Sequence, residues 1–242
     1  MTSVVPAALA LATHNSDVLH TVLAETRGHE LIRRPGFTAM RGPGLVRVLV
    51  RGPEPAADDV AEMADLVAAA GERRVTVVED PFAVLDCADW GLGSRELPVM
   101  ARQPGPVSPP ALDVTPVETV AQLAAAEKVV LDGFPLPGFA PGEALTPALL
   151  DRPEARLHLV ARDGEPTGAC LSILDGHATG LYWVTTLPEH RSRGVGRALL
   201  AAALDGVDGP ATLTATEAGR PLYDSFGFTV VAHAKWWWKP TG

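Results

Sequence analysis

The chain has 242 residues, 47% of them hydrophobic, which is long for one domain of ordinary size and enough for the cores of two. A formal net charge of -9, with Lys and Arg nowhere clustered, argues against a nucleic-acid surface and favours cationic amine ligands. The two cysteines, Cys87 and Cys170, lack C-x-x-C spacing and exclude a disulfide framework or zinc site, and no apolar stretch is long enough to span a bilayer.

The apolar run near the start has no basic residue ahead of it and contains Pro6, which argues against a signal peptide and makes the cytoplasm the expected location. Residues 7–27 read as one or two helices, interrupted by His14, Asn15 and Asp17 and ended by Gly28. Short strands are expected at 29–34 and 37–41, and a stronger one at 45–50 from its Val and Leu content. Val60, Met63, Ala64, Val67 and Ala68 give one helical stripe, followed by a strand at 75–78, a short helix within 81–90 and a strand at 96–102. Residues 103–110, QPGPVSPP, form the linker, because successive prolines favour extended chain and exclude helix. A strand at 112–117 and a helix at 118–131 follow. The stretch 132–150 is then rich in Gly and Pro, carries Phe134, Phe139 and Glu143, and leads into a short helix after Thr146.

Three strands at 157–162, 166–174 and 177–186 are joined by Asp163-Gly164 and Asp175-Gly176, pairs that suit hairpin turns, so an antiparallel meander is expected. Its last strand runs through Leu181, Tyr182, Trp183 and Val184 to Pro188, after which Arg191, Gly194 and Gly196 open an aliphatic helix with R-x-x-G-x-G spacing. Glycines there let a phosphate approach the first-turn amides at the positive end of the helix dipole. The Walker pattern fails because Val195, Gly196 and Arg197 follow Gly194, and the Rossmann pattern fails because Leu199 fills its third small position. Two glycines that merely tighten a turn remain the alternative. Arg191, Arg193 and Arg197 are the local cations, and the helix at 194–204 is apolar on more than one stripe, as if a second domain covered its far side.

Residues 211–216 alternate like a strand and precede Gly219-Arg220-Pro221-Leu222-Tyr223, with Gly227-Phe228 beyond. RSRGVG before a helix, then G-x-P-L-Y-x-x-x-G-F, resembles the GNAT N-acetyltransferase superfamily, clearly in the C-terminal half and only by outline in the N-terminal half. The resemblance implies an α/β (α+β) fold of mixed, mostly antiparallel sheets flanked by helices, with acetyl-CoA as acetyl donor. It places pantetheine between the strand at 182–186 and the strand at 211, on the backbone of Val184, Thr185 and Thr186. It places phosphates on Arg191, Ser192, Arg193, Gly194, Val195, Gly196 and Arg197. Tyr223 becomes the general acid that protonates the departing thiolate. Thr216-Glu217 stands where many relatives have an Asn, which puts one donor contact in doubt.

The order strand, helix, strand, short helix, strand occurs in both halves. A tandem follows, with a degenerate GNAT-like domain at 1–105 and the acetyltransferase domain at 106–242. In the first, Pro53 and Pro55 donate no amide hydrogen where phosphate would sit, and Glu54, Asp58 and Asp59 repel it. The seven histidines show no ligand spacing and no metal is expected; Glu189 is an exposed turn carboxylate, and Trp236, Trp237 and Trp238 alternate faces of a terminal strand. The expected acceptor is a small-molecule or peptide primary amine. Neither nucleic acid nor membrane is an expected partner, and a homodimer is compatible with the chain. A non-catalytic acyl-CoA sensor or interaction module, and a structural protein without the donor, are the competing readings.

Overall fold

The computed structural model describes residues 6–71, 74–134 and 139–239. The first half comprises helix α1 (Ala7–Arg27), strands β1 (Glu30–Arg33), β2 (Phe37–Arg41) and β3 (Leu45–Val50), helix α2 (Ala57–Ala70), and strands β4 (Val75–Asp80) and β5 (Gly93–Arg102). The second comprises strand β6 (Val114–Pro116), helix α3 (Val120–Gly133), and strands β7 (Ala155–Arg162), β8 (Glu165–Leu174) and β9 (Thr179–Thr186). Helix α4 (Val195–Leu204), strand β10 (Ala211–Thr214), short helix α5 (Arg220–Asp224) and strand β11 (Thr229–Trp238) complete it.

Helix α1 is unbroken although three polar residues interrupt its apolar pattern, because Asn15 finds tertiary partners and Thr13 returns its hydroxyl to Leu9 O at 2.9 Å. Gly28, at φ +65°, ends it in a left-handed cap. The helix expected from residue 118 is capped instead by Thr119, in a reciprocal box with Gln122 that contributes about 1 kcal/mol. The short helix expected within 81–90 shrinks to a 3-10 turn at Ala88–Trp90. The Asp80 carboxylate accepts the amides of Phe82 and Leu85, which holds the preceding segment in a turn.

All strands join one eleven-stranded sheet in the order β1-β2-β3-β4-β11-β5-β10-β9-β8-β7-β6. Apart from β6 at the edge, the order reads alike from both ends, as a pseudo-twofold repeat whose halves have exchanged their last strands. β11 pairs antiparallel with β4, from Lys235↔Asp80 to Trp238↔Val77, while β5 pairs antiparallel with β10. The exchanged strands then pair with each other at the centre, from Thr229↔Ala101 to Trp238↔Gly93.

Helices α1 and α3 cover one face, and α2 and α4 the other. Strand alternation divides the core accordingly: Leu45, Ala169, Leu171 and Ile173 pack beneath α1 and α3, Val46, Val48 and Val50 beneath α2, and Cys170 with Leu181 beneath α4. Trp237 is buried in the α2 cluster, and Trp236 lies on the opposite face under Arg47. Seven residues of α4 are buried, and its leucines at about 1.5–3 kcal/mol each hold a ten-residue helix that propensity alone would not. The α4 cluster also takes in Met100 of β5 and Val107 and Leu112 beyond it, and among the described residues it includes none from α1 or α2. Cys87 and Cys170 are free and buried, and burial pushes both thiols up to about 12.

Candidate functional site

The site begins where two parallel strands separate. β9 and β10 pair only at Thr179↔Ala211 and Gly180↔Thr212, although β9 continues to Thr186. β10 instead follows β5, with Thr214 opposite Val99. From Leu181 onward the edge of β9 that faces β10 therefore carries backbone groups without a ladder partner, which are available to an extended ligand.

A bulge in β9 re-aims this edge. Ala169 pairs with Thr185 and Leu171 with Tyr182, so Cys170 alone stands opposite Trp183 and Val184. Trp183 takes φ +49°, a strained conformation for a bulky residue. The bulge sets both Tyr182 and Trp183 against the α1 and α3 cluster and Val184 against the α4 cluster.

Beyond Thr186 a 3-10 turn at Pro188–His190 leads into a backbone hollow. Ser192 at φ +59° and Gly194 at φ +84° alternate with ordinary residues, a pattern that turns successive amides toward one point. Among the described residues the amides from Ser192 to Arg197 meet no protein acceptor, whereas His190 donates to Leu187 O at 2.9 Å and Arg191 to Pro188 O at 3.3 Å. Arg191 and Arg193 are exposed, and among the described residues neither is in an ion pair. Arg197 faces elsewhere: its guanidinium donates to Ser225 Oγ at 3.0 Å and lies 5.3 Å over the Phe226 ring. The residues from Arg191 to Val195 thus form one turn of unengaged amides at the end of β9, with Arg197 beside it and tied to the α5 region.

Tyr223 projects from α5 into the cluster that holds Val184, Leu181, Val195 and Leu213, and its ring meets Phe228 edge to face at 6.0 Å. Burial first, then the neighbouring Cys170, raises its phenol well above the ordinary value, so it remains a proton donor at neutral pH. Thr185 is buried and donates its hydroxyl to Trp183 O at 2.9 Å, while Thr186 Oγ1 lies 3.5 Å from where a Cβ on Gly196 would stand. The structure therefore brings Val184, Thr186, Gly196 and Tyr223 around one cleft.

Several participants carry no motif in the sequence. Asn15 is fully buried, and its Nδ2 donates to Ile173 O at 3.0 Å and Asp175 Oδ2 at 2.9 Å. Its Oδ1 accepts from Tyr182 Oη at 2.8 Å. A Cβ on Gly180 would sit 1.8 Å from that Oδ1, so Asn15 packs directly on the last paired residue before the strands part. Around it lie His20, Arg47 and Glu79. Burial alone would raise the Glu79 carboxyl, but Arg47 and His20 outweigh it and hold it at about 2. The available signal was a run of polar residues inside an apolar helix.

The first half has no equivalent opening. β3 and β4 stay paired over five residues, from Leu45↔Val75 to Leu49↔Glu79. At the α2 N-terminus Asp59 Oδ2 accepts the Gly36 amide at 2.8 Å. Among the described residues no group of three or more His, Cys, Asp or Glu is placed to hold a metal ion, and no helix is long and apolar enough to cross a membrane.

Residues 153–230 match the acetyltransferase (GNAT) domain family. No curated protein matches the sequence. Among solved structures, the fold is similar to a GCN5-related N-acetyltransferase from Kribbella flavida, at 20% identity over 96% of each chain with a TM-score of 0.67. It is similar also to a putative GNAT-family acetyltransferase from Novosphingobium aromaticivorans, at 16% identity over 86% of this chain and 89% of that one, TM-score 0.58. A tandem GNAT protein from the clavulanic acid biosynthesis pathway shares the fold at 13% identity over 96% of each chain, TM-score 0.53.

Proposed function

We propose, from the match of residues 153–230 to the GNAT domain family and the likeness of the fold to GNAT structures, that the protein transfers the acetyl group of acetyl-CoA to a primary amine, a small molecule or a peptide. The observation that carries this reading is the separation of β9 from β10 beside a turn of unengaged amides. The pantetheine arm of the donor enters the first while the donor's diphosphate meets the second. The amides from Ser192 to Arg197, with Arg191 and Arg193, hold the phosphates by charge-assisted hydrogen bonds. Val184, Thr185 and Thr186 offer backbone groups to the pantetheine amides.

In the reaction the neutral amine attacks the thioester carbonyl, a C–N bond forms, and the C–S bond then breaks. A β9 amide stabilises the oxyanion that develops between these events. Tyr223 gives its proton to the departing thiolate and regains one from solvent, while the amine nitrogen loses one proton to solvent, so amide and free thiol are the products. An amine with a pKa of about 10 is mostly protonated at pH 7, which makes its deprotonation part of the rate.

Calorimetry with acetyl-CoA, followed by thiol release against an amine library, tests the reading. One donor site per chain and amine-dependent release are expected. Binding without release from any amine would make the protein an acyl-CoA sensor, and no binding would remove the donor altogether.

A further inference from the structure

Arg27, at the end of α1, lies between two aromatic rings, with its guanidinium carbon 4.7 Å from the Phe139 centroid and 5.9 Å from that of Trp183. Its Nε and Nη2 both donate to Ala144 O, at 3.1 and 2.5 Å, which engages one edge of the planar fork. Among the described residues the other edge, with Nη1, has no acceptor, and no carboxylate contacts Arg27.

The neighbouring charges do not supply one. Glu127 is buried with its oxygens on the amides of Gly142, Ala144 and Leu145 at 2.6, 2.8 and 2.9 Å. Arg47 adds repulsion and is itself paired with Glu79; His29, close by, is also disfavoured as a cation, by burial and then by Arg27. Burial first and Arg47 second lower the Arg27 guanidinium to about 10, an unusual condition for a group that is otherwise always charged.

The position of this cation relates it to the cleft. Trp183 is the strained residue of the β9 bulge, so one indole separates Arg27 from the backbone on which the acyl group is expected. Phe139 and Ala144 belong to the Gly- and Pro-rich connection after α3, and Thr146 Oγ1 also donates to Thr26 O at 2.8 Å, fixing that connection to the end of α1. A planar fork with one free edge, set between aromatic walls, suits a planar anion bound through two parallel hydrogen bonds.

We propose that the acceptor amine bears a carboxylate, and that Arg27 binds it while the amine reaches the cleft. The proposal rests on the transferase reading and narrows its acceptor to amino-acid-like molecules. It assigns to the first half of the chain a residue of the acceptor site.

Amino acids, each paired with its carboxamide, serve as acceptors for the full-length protein with acetyl-CoA, and free thiol is read. The acids should be preferred by at least ~10-fold in kcat/KM, and Arg27→Gln should erase that preference while acetyl-CoA affinity is retained. Thiol release equal for acid and amide, or confined to amines without a carboxylate, overturns the proposal and leaves the transferase reading intact. Where release is absent from every pair, calorimetry of the same pairs on the CoA-saturated protein decides: binding of the acids alone supports the anion site, and equal or no binding overturns it. Failure of acetyl-CoA itself to bind overturns the transferase reading and this one together.

Discussion

Asn15→Leu keeps most of the side-chain volume and removes every hydrogen bond by which α1 holds the β8–β9 hairpin. Ala178 O retains the Asp175 amide at 3.3 Å and Ile173 O stays opposite Gly180 in the β8–β9 ladder, but the Tyr182 hydroxyl loses its acceptor Asn15 Oδ1. One buried polar group left without its partner puts the cost at about 1–3 kcal/mol. For a chain of this size that lowers Tm by roughly 2–12 °C, at about 2–4 °C per kcal/mol. Tyr182→Phe removes the other end of one bond, so the double variant should show a coupling of about 1 kcal/mol. The contact lies at the fork of β9 and β10, so its loss should widen or collapse the opening between these strands, where pantetheine is proposed to lie, and leave the turn at Ser192 to Arg197 alone. Acetyl-CoA affinity should then fall at least ~10-fold while that of adenosine 3′,5′-bisphosphate holds, read by calorimetry below the lowered Tm. A Tm within 2 °C of the parent, on the order of 0.5 kcal/mol, refutes the clasp. Equal loss of both ligands refutes its confinement to the channel.

Gly196→Asp sets a Cβ 3.0 Å from Leu222 Cδ2 and a charge at the amide-lined turn, and should weaken acetyl-CoA at least ~100-fold by calorimetry, with two lost charge-assisted bonds at about 1.5–3 kcal/mol each. Tyr223→Phe should lower kcat by about 10² at unchanged donor affinity, measured where chemistry limits the rate; wild-type turnover would return the residue to a packing role. Residues 107–242 alone should not fold to an active domain, because removing β5 takes away the strand between β10 and β11; a soluble, fully active fragment would contradict this. Glu79 is held at about 2 against an ordinary 4.5, so its contribution is complete above pH 4.5 and declines as pH falls toward 2. Acid denaturation of Glu79→Gln should be flatter across that window, and an unchanged slope would show that the ion pair does not stabilise the fold.

The turn that opens α4 was legible because its pattern is local. Arg191, Gly194 and Gly196 lie within six residues, and a left-handed Gly194 followed by an aliphatic run leaves few backbones to choose from. The meander was legible from its Asp-Gly turns, which the structure places between β7, β8 and β9. The exchange of β5 and β11 was not, since each strand has the same alternation whichever neighbour it meets, and pairing across more than 100 residues leaves no local mark. Trp183 was read as one more apolar strand residue, because a bulge depends on the register of two strands and not on the residue at its apex. Asn15 and Arg27 were read as interruptions or ends of a helix. Their partners, Tyr182 and Ala144, lie more than 100 positions away, where only the fold brings them near.

The pseudo-twofold sheet makes the two halves a controlled comparison of what opens a cleft. Both have a parallel strand pair joined by a crossover helix, β3–α2–β4 and β9–α4–β10. In the first, Leu45, Val46, Arg47, Val48 and Leu49 all keep their partners on β4, and no bulge interrupts them. In the second, the ladder stops after Gly180, three residues before a strained tryptophan. The difference lies on the side of α1. Its Asn15 lies against Gly180 and holds Tyr182, while its Ser16 and His20 reach Glu79 at the closed end of β4. One helix from the first half thus grips both strand pairs, bonding the closed one through a buried ion cluster and the open one at its fork. Removing the first half would therefore take away the side chain that packs on Gly180 and holds Tyr182 where β9 leaves β10.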